Sequence, residues 1–122
     1  MVKPKGDILI ASRCSEGVGS PEYAQILEMA ETPAAFIQRV LAKEFFIPDQ
    51  WCAQEMYQVL LEKDVWIYTE GISHEQVSRR HLRPVASVEA CIAALLEKHG
   101  RDARWAVVPD GPMLILRLAP SS

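Results

Sequence analysis

A hydrophobic run that breaks into a glycine loop constrains the fold of this chain more than any other segment. Residues 7–23 read DILIASRCSEGVGSPEY, and the continuous run ILIA is typical of a strand that is covered on both faces. Gly17 and Gly19 supply backbone conformations that other residues adopt rarely. Ser20 suits the N-cap of a helix and Pro21 its first turn. The segment therefore predicts a strand, a loop and a helix in direct succession.

The loop between this strand and this helix is a candidate ligand site. In open α/β sheets, ligands bind at the carboxyl ends of the strands, and the exposed N–H groups at a helix start favour an anion. We therefore predict a ligand-facing loop made of Ser15, Glu16, Gly17 and Gly19. The loop lacks the lysine of a P-loop and the third glycine of the dinucleotide fingerprint. A tight turn that binds nothing stays open as the alternative.

The composition fits one globular domain and does not indicate a nucleic-acid or membrane partner. The chain has 122 residues, of which 49% are hydrophobic and 24% charged, and its formal net charge is −3. No apolar run approaches the roughly 20 residues that span a bilayer, and we find no signal peptide. Cys14, Cys52 and Cys91 are widely spaced, which is typical of reduced thiols rather than of disulfides or a zinc site. We expect a cytoplasmic protein.

Helical and extended patterns alternate along the rest of the chain. Helices are predicted over residues 21–30, 32–41, 49–63, 73–81 and 87–99. Strands are predicted over residues 65–68 and 104–108, with extended runs at 82–86 and 113–118. This alternation predicts the α/β class, as a three-layer α/β/α sandwich with a mostly parallel, Rossmann-like sheet.

The helix over residues 49–63 carries the second candidate site. We expect Asp49 to cap this helix through its carboxylate. The predicted buried stripe of the helix consists of Cys52, Met56, Val59 and Leu60. Trp51 lies off that stripe, in a row of polar residues, and therefore faces a ligand or another domain. The alternative is that Trp51 packs against Phe45 and Phe46, which precede the helix.

The residues do not assemble a self-sufficient active site. His74, His81 and His99 fall on separate predicted surfaces, and neither H-E-x-x-H nor G-x-S-x-G occurs. The basic run at residues 79–81 is expected to be solvated and to complement the end of its helix, with an anion site as the less favoured alternative. We predict no catalytic residue and no metal ligand, and interpret the domain as a scaffold with one ligand-facing edge.

Several segments together resemble the C-terminal domain of nickel-dependent lactate racemases. The most specific are C-S-E-G-V-G at residues 14–19 and D-Q-W at residues 49–51. The segments V-W-I-Y-T-E-G-I, S-V-E-A-C-I-A-A-L-L-E-K-H-G and V-V-P-D-G-P are compatible but more general. The resemblance extends from Lys3 to Pro112. It departs at residues 5–7, where a glycine pair is more usual, and this concerns only the turn that enters the first strand.

The resemblance implies that residues 1–122 are the C-terminal domain of a larger two-domain isomerase, which racemises or epimerises 2-hydroxy acids. In that family a nickel pincer nucleotide, a nicotinic-acid derivative joined to a lysine, accepts and returns the substrate hydride. The cofactor lysine and the catalytic and metal-binding histidines lie in the N-terminal domain. The resemblance therefore implies that this chain holds no cofactor, has the N-terminal domain as its partner and is inactive alone.

The resemblance also implies roles for two residues of the D-Q-W motif. The C-terminal domain closes over the cleft, and Trp51 looks like a substrate-side contact with Gln50 beside it. This agrees with the position of Trp51 off the buried stripe. The alternative is a stand-alone α/β module that binds a small anion or a protein through residues 15–20.

Overall fold

Parallel strands alternate with helices along the chain. The computed structural model describes residues 2–44, 46–117 and 119–120. Its strands are β1 (Asp7–Ala11), β2 (Asp64–Tyr68) and β3 (Arg83–Pro84). Its α-helices are α1 (Pro21–Met29), α2 (Pro33–Leu41), α3 (Gln50–Leu60), α4 (His74–Ser78) and α5 (Val88–His99). All strand pairs are parallel and their order is β1-β2-β3, which confirms the predicted α/β class.

Alternate residues of β2 face the two sides of the sheet. Trp66 faces α5 and lines a cavity of about 290 Å³ together with Cys91 and other residues of that helix. Val65 and Ile67 are buried on the opposite face. Because parallel crossovers are right-handed, the connections that contain α1–α4 run over that opposite face. The sheet is therefore the middle layer of the predicted sandwich.

The main hydrophobic core lies between α1, α2 and α3. Its buried members are Ile26, Leu27, Ala30, Phe36, Ala53 and Tyr57. Tyr57 is fully buried, its ring centroid lies 4.8 Å from that of Phe36, and its hydroxyl donates to the Leu27 carbonyl at 3.3 Å. Burial, together with the neighbouring Tyr23, raises the pKa of Tyr57 to about 12.

The predicted buried stripe of α3 is wrong by a shift of one residue along the helix, and Val59 and Leu60, which also belonged to it, are only partly buried. Ala53 and Tyr57 are buried, whereas the predicted Cys52 and Met56 are only partly buried. The helix is rotated in this way because the large ring of Tyr57 fills the space between α1 and α2. Its hydroxyl also finds a carbonyl acceptor there. Helical periodicity alone therefore predicts the buried face of α3 only approximately.

Short polar side chains begin the helices where the sequence predicts them. The Ala35 N–H donates to Thr32 Oγ1 at 3.1 Å at the start of α2. Ser73 and Gln76 form the predicted capping box at α4, with the Gln76 N–H donating to Ser73 Oγ at 3.2 Å. These bonds satisfy N–H groups that have no partner within the first helical turn.

The predicted strand over residues 104–108 is wrong. In this part of the chain, all of which the structure describes, these residues pair with no strand, and Trp105 and Val107 are exposed. The third strand of the sheet is instead Arg83–Pro84, within a segment that the sequence marked only as extended. Pro84 has no N–H to donate to a further strand. This is tolerated because β3 lies at the edge of the sheet.

The expectation that residues 79–81 are solvated is wrong for Arg80. This side chain is packed into the fold and the residue is only 6% exposed, with Nη1 donating to the Gln76 carbonyl at 2.5 Å. Arg79 remains at the surface, paired with Glu75. The helix α4 is short, so the residues after it turn back toward α1 instead of continuing into solvent, and His81 Nε2 lies 2.9 Å from the Ala30 carbonyl.

Candidate functional site

The glycine loop, residues 12–20, lies at the carboxyl edge of the sheet against the loop that follows β2. Thr69 Oγ1 donates to the Arg13 carbonyl at 3.1 Å, and the Gly71 N–H donates to the same carbonyl at 3.0 Å. A side chain at Gly71 would overlap the Cys14 carbonyl. The approach of the two loops therefore depends on a glycine at this position. The sequence could have predicted residues 69–71 as part of the candidate site, because they too follow the carboxyl end of a strand.

Backbone conformation explains the glycines within the loop itself. Gly17 and Gly19 have φ values of +74° and +101°, in the region that favours glycine. Added side chains at these two positions would meet no atom within 4 Å. The loop thus needs glycine for its path and not for close packing. Ser15, Glu16 and Gly19 are exposed, and Gly17 is half-buried.

A hydrogen bond joins the glycine loop to the start of α3. Ser20 Oγ accepts from the Tyr23 N–H at 3.1 Å, as predicted for an N-cap, and donates to Asp49 Oδ2 at 2.7 Å. The predicted capping role of the Asp49 carboxylate is wrong: Asp49 makes no side-chain cap bond to α3 and has a φ of +64°. The carboxylate binds Ser20 and is therefore directed away from the N–H groups of its own helix.

The other two residues of the D-Q-W motif lie next to this contact. Trp51 is 69% exposed in the first turn of α3, consistent with its position off the buried stripe. Phe46 is 89% exposed, so it gives Trp51 no buried surface to pack against; Phe45 lies outside the described residues. Gln50 is half-buried, and its Oε1 accepts from the Ile47 N–H at 3.2 Å.

The structure brings the two predicted sites together and places features that disfavour an anion next to the loop. The Gly17 N–H already donates to the Cys14 carbonyl at 2.9 Å, and Pro21 has no N–H. The Asp49 carboxylate, held by Ser20, contributes a negative charge at the start of α1, where an anion would otherwise be favoured. The arrangement is better suited to contact through an exposed aromatic ring than to phosphate binding.

The described residues do not provide a set of ligands for a nickel cofactor. Within residues 2–44, 46–117 and 119–120, no group of three or more His, Cys, Asp or Glu side chains could hold a metal ion. The ring Nε2 of His99 lies 2.5 Å from Asp7 Oδ2, so this nitrogen faces a protein partner. Cys91 is buried, and burial raises the pKa of its thiol, which disfavours the metal-binding thiolate. The part of the chain that the structure describes therefore does not fit a nickel pincer group.

Comparison with known proteins decides the family. A sequence model described as the lactate racemase C-terminal domain matches residues 1–116. The chain belongs to this family. The resemblance seen in the glycine loop and the D-Q-W motif is thereby confirmed at the level of the family.

The relatives are considerably longer than this chain. It is 25% identical over 117 residues to a lactate racemase of Thermoanaerobacterium thermosaccharolyticum and 21% identical over 117 residues to one of Lactiplantibacillus plantarum. These matches cover 94% of the chain but only 28% of each relative. The chain therefore spans little more than a quarter of their length.

A solved structure shows the same fold. The lactate racemase apoprotein of Thermoanaerobacterium thermosaccharolyticum matches 95% of this chain with a TM-score of 0.83 and 24% identity, over 28% of its own chain. At this identity the match supports the fold and not a residue's role. As for a membrane, no helix among the described residues combines the length and the apolar character needed to cross one.

Proposed function

We propose that this chain is the C-terminal, cleft-closing domain of a nickel-pincer-dependent racemase or epimerase of 2-hydroxy acids. The observation that carries the proposal is Trp51, an exposed tryptophan in the first helical turn beside the glycine loop. A large apolar ring left in solvent is typical of a surface that a ligand or another domain covers. Membership of the lactate racemase C-terminal domain family supports the same proposal.

On this proposal the reactive groups belong to the rest of the enzyme. The described histidines and cysteines of this chain do not gather into a metal site, and the chain corresponds to only 28% of its lactate racemase relatives. The partner of this chain is then the N-terminal domain of the same protein, and the chain is inactive alone. Its three free cysteines fit a reducing compartment, and we propose the cytoplasm.

The residues of this chain would bind and orient the substrate. The ring of Trp51 provides an apolar wall that excludes water from one side of a closed cleft. Gln50 Oε1 is engaged by the Ile47 N–H, so the group that Gln50 offers to a substrate is its amide NH₂. Such a donor suits the carboxylate or hydroxyl of a 2-hydroxy acid.

A stand-alone module that binds a small anion or a protein through residues 15–20 is less well supported. The Asp49 carboxylate stands next to the cap of α1, and the Gly17 N–H is occupied within the loop. Both features weaken an anion site at this position. The exposed ring of Trp51 would also remain without a function in an anion-binding module.

Replacing Trp51 by alanine in the full-length protein is expected to reduce kcat/KM for 2-hydroxy acid racemisation about 100-fold, as for loss of a buried aromatic contact. Enantiomer interconversion is followed by chiral chromatography. Trp105→Ala, which removes another exposed tryptophan, is the matched control and is expected to leave kcat/KM within about twofold. Unchanged kcat/KM in Trp51→Ala would refute the assigned role.

The 122-residue chain alone is expected to bind no nickel stoichiometrically and to interconvert no lactate enantiomers. The reason is that no group of three or more His, Cys, Asp or Glu side chains among its described residues could hold a metal ion, and that the proposal assigns the cofactor and the proton-transfer groups to the N-terminal domain. The amount of bound nickel is measured by equilibrium dialysis against Ni²⁺ followed by metal analysis. The chain used for this measurement carries no affinity tag. One tightly held nickel per chain would contradict the proposed division between the two domains.

A further inference from the structure

Two parts of the candidate site that are distant in sequence are joined by a single hydrogen bond. Ser20 ends the glycine loop, Asp49 precedes α3, and the Ser20 hydroxyl donates to Asp49 Oδ2 at 2.7 Å across 29 residues of chain. The bond is partly buried, and its acceptor is a carboxylate. An O–H···O⁻ bond of this kind is shorter and stronger than one between neutral groups.

The conformation of Asp49 indicates that this bond is favoured over capping α3. The N-cap residues of the other four α-helices, Ser20, Thr32, Ser73 and Ser87, have extended backbones and accept a hydrogen bond from their own helix. Asp49 instead has φ +64° and ψ 5°, a left-handed conformation that disfavours most residues, and makes no cap bond. Its carboxylate accepts from the Ser20 hydroxyl instead of from an N–H group of α3.

We propose that Asp49 is a positioning residue that holds the glycine loop and the first turn of α3 in one fixed arrangement. Gly19 immediately precedes Ser20, and Trp51 follows Asp49 by two residues. Each end of the hydrogen bond is therefore one or two peptide units from a residue of the candidate site. Without the bond, the loop and the tryptophan can move independently, and the preorganisation of the site is lost.

The Ser20 hydroxyl has two functions that substitutions can separate. It caps α1 by accepting from the Tyr23 N–H, and it holds Asp49 by donating. Ser20→Asp keeps the acceptor for the cap but cannot donate to a carboxylate and repels it. Thr32→Ala removes an equivalent cap, that of α2, without touching the bond between Ser20 and Asp49. The effect of the bond can thus be distinguished from that of capping.

Substitutions of Asp49 separate its side chain from its backbone. Asp49→Gly tolerates the left-handed conformation but removes the acceptor. Asp49→Asn also tolerates this conformation and retains a carbonyl oxygen that accepts from the Ser20 hydroxyl. The glycine variant should therefore lose the arrangement, and the asparagine variant should restore it.

The test is ¹⁵N NMR of the 122-residue chain, following the amides of Gly17 and Gly19 and the indole N–H of Trp51. In Asp49→Gly and Ser20→Asp we expect all three signals to shift and the heteronuclear NOE of both glycine amides to fall. In Asp49→Asn and Thr32→Ala we expect wild-type values at these positions. Wild-type glycine NOE values in Asp49→Gly, or the same loss in Thr32→Ala, would overturn the proposal.

The consequence for catalysis rests on the proposed function and is tested separately. In the full-length protein, Asp49→Gly is expected to lower kcat/KM for 2-hydroxy acid racemisation about tenfold, with Asp49→Asn close to wild type. If Trp51→Ala has no effect on kcat/KM but Asp49→Gly loosens the loop, the proposed function fails and the positioning role stands. If Trp51→Ala abolishes activity but Asp49→Gly leaves the loop unchanged, only the positioning role fails.

Discussion

Replacing Tyr57 by alanine is expected to lower the free energy of unfolding by about 4 kcal/mol, as for other buried aromatic residues. The ring is fully buried between α1, α2 and α3, and its removal leaves a cavity against Phe36. Urea denaturation followed by circular dichroism measures the loss. Because small domains have only about 5–15 kcal/mol in total, the variant should be close to unfolding at physiological temperature.

A milder substitution separates the ring of Tyr57 from its hydroxyl, and a second one at Tyr68 is its control. Tyr57→Phe removes only the hydrogen bond to the Leu27 carbonyl, and should cost about 1 kcal/mol. Tyr68→Phe removes a hydroxyl that donates to Glu70 at the surface, and should change stability by less than about 0.5 kcal/mol. If Tyr57→Ala were no worse than Tyr57→Phe, the three-helix core would not be the main hydrophobic core of the domain.

Replacing Asp7 by asparagine is expected to destabilise the chain by about 2 kcal/mol at neutral pH. The side chain is only 3% exposed and accepts from Trp66 Nε1 at 2.7 Å and Lys98 Nζ at 2.8 Å, with His99 Nε2 at 2.5 Å. Burial by itself raises the pKa of Asp7, but these partners, Lys98 foremost, outweigh it and lower the pKa from 3.8 to about 2. The ionised form is therefore favoured in the folded protein.

The effect of Asp7 should depend on pH in a defined direction. The pKa of this carboxyl is lower in the folded than in the unfolded chain, so its stabilisation is present above about pH 4. That stabilisation is lost as the pH falls toward 2, where the carboxyl becomes protonated in the folded protein as well. The difference in unfolding free energy between wild type and Asp7→Asn, measured by urea denaturation, should therefore shrink over this range.

Asp64 provides the matched control for Asp7. It is the register partner of Asp7 at the start of β2, but its side chain is 40% exposed and pairs with Arg83 at 3.0 Å. Exposed ion pairs contribute little, so Asp64→Asn should cost less than about 1 kcal/mol. Two results would show that the partners of Asp7 do not stabilise its charge. One is an equal loss of unfolding free energy in Asp7→Asn and Asp64→Asn, and the other is a difference between wild type and Asp7→Asn that persists at pH 2.

The candidate site was predicted in its parts but not in its geometry. The glycine loop was expected at the carboxyl end of the first strand, and Trp51 was expected off the buried stripe of its helix; both lie as expected. Their connection through Ser20 and Asp49 was not predicted, because Asp49 also fits the pattern of an N-cap. A short polar residue before a helix indicates a cap, and only its neighbours in space determine where its side chain binds.

The predicted strand over residues 104–108 failed for a related reason. Its hydrophobic residues satisfy the local preference for extended structure, but a strand also requires a partner. Arg83–Pro84 pairs with β2, although the proline in this segment predicts only an extended backbone and not a strand. Pairing is a contact between distant parts of the chain, which hydrophobicity within a short window does not specify.

The sequence by itself determined the features that depend on neighbouring residues. These are the alternation of strands and helices, the caps at Ser20 and Thr32, and the family, through its glycine loop and D-Q-W motif. Capping and helical periodicity act over three or four residues, so they can be read from the chain directly. Only the tertiary structure decided that Ser20 binds Asp49 across 29 residues and that Asp7 binds Lys98 across 91. Such contacts form because packing of the helices and strands brings distant polar groups together where water is partly excluded.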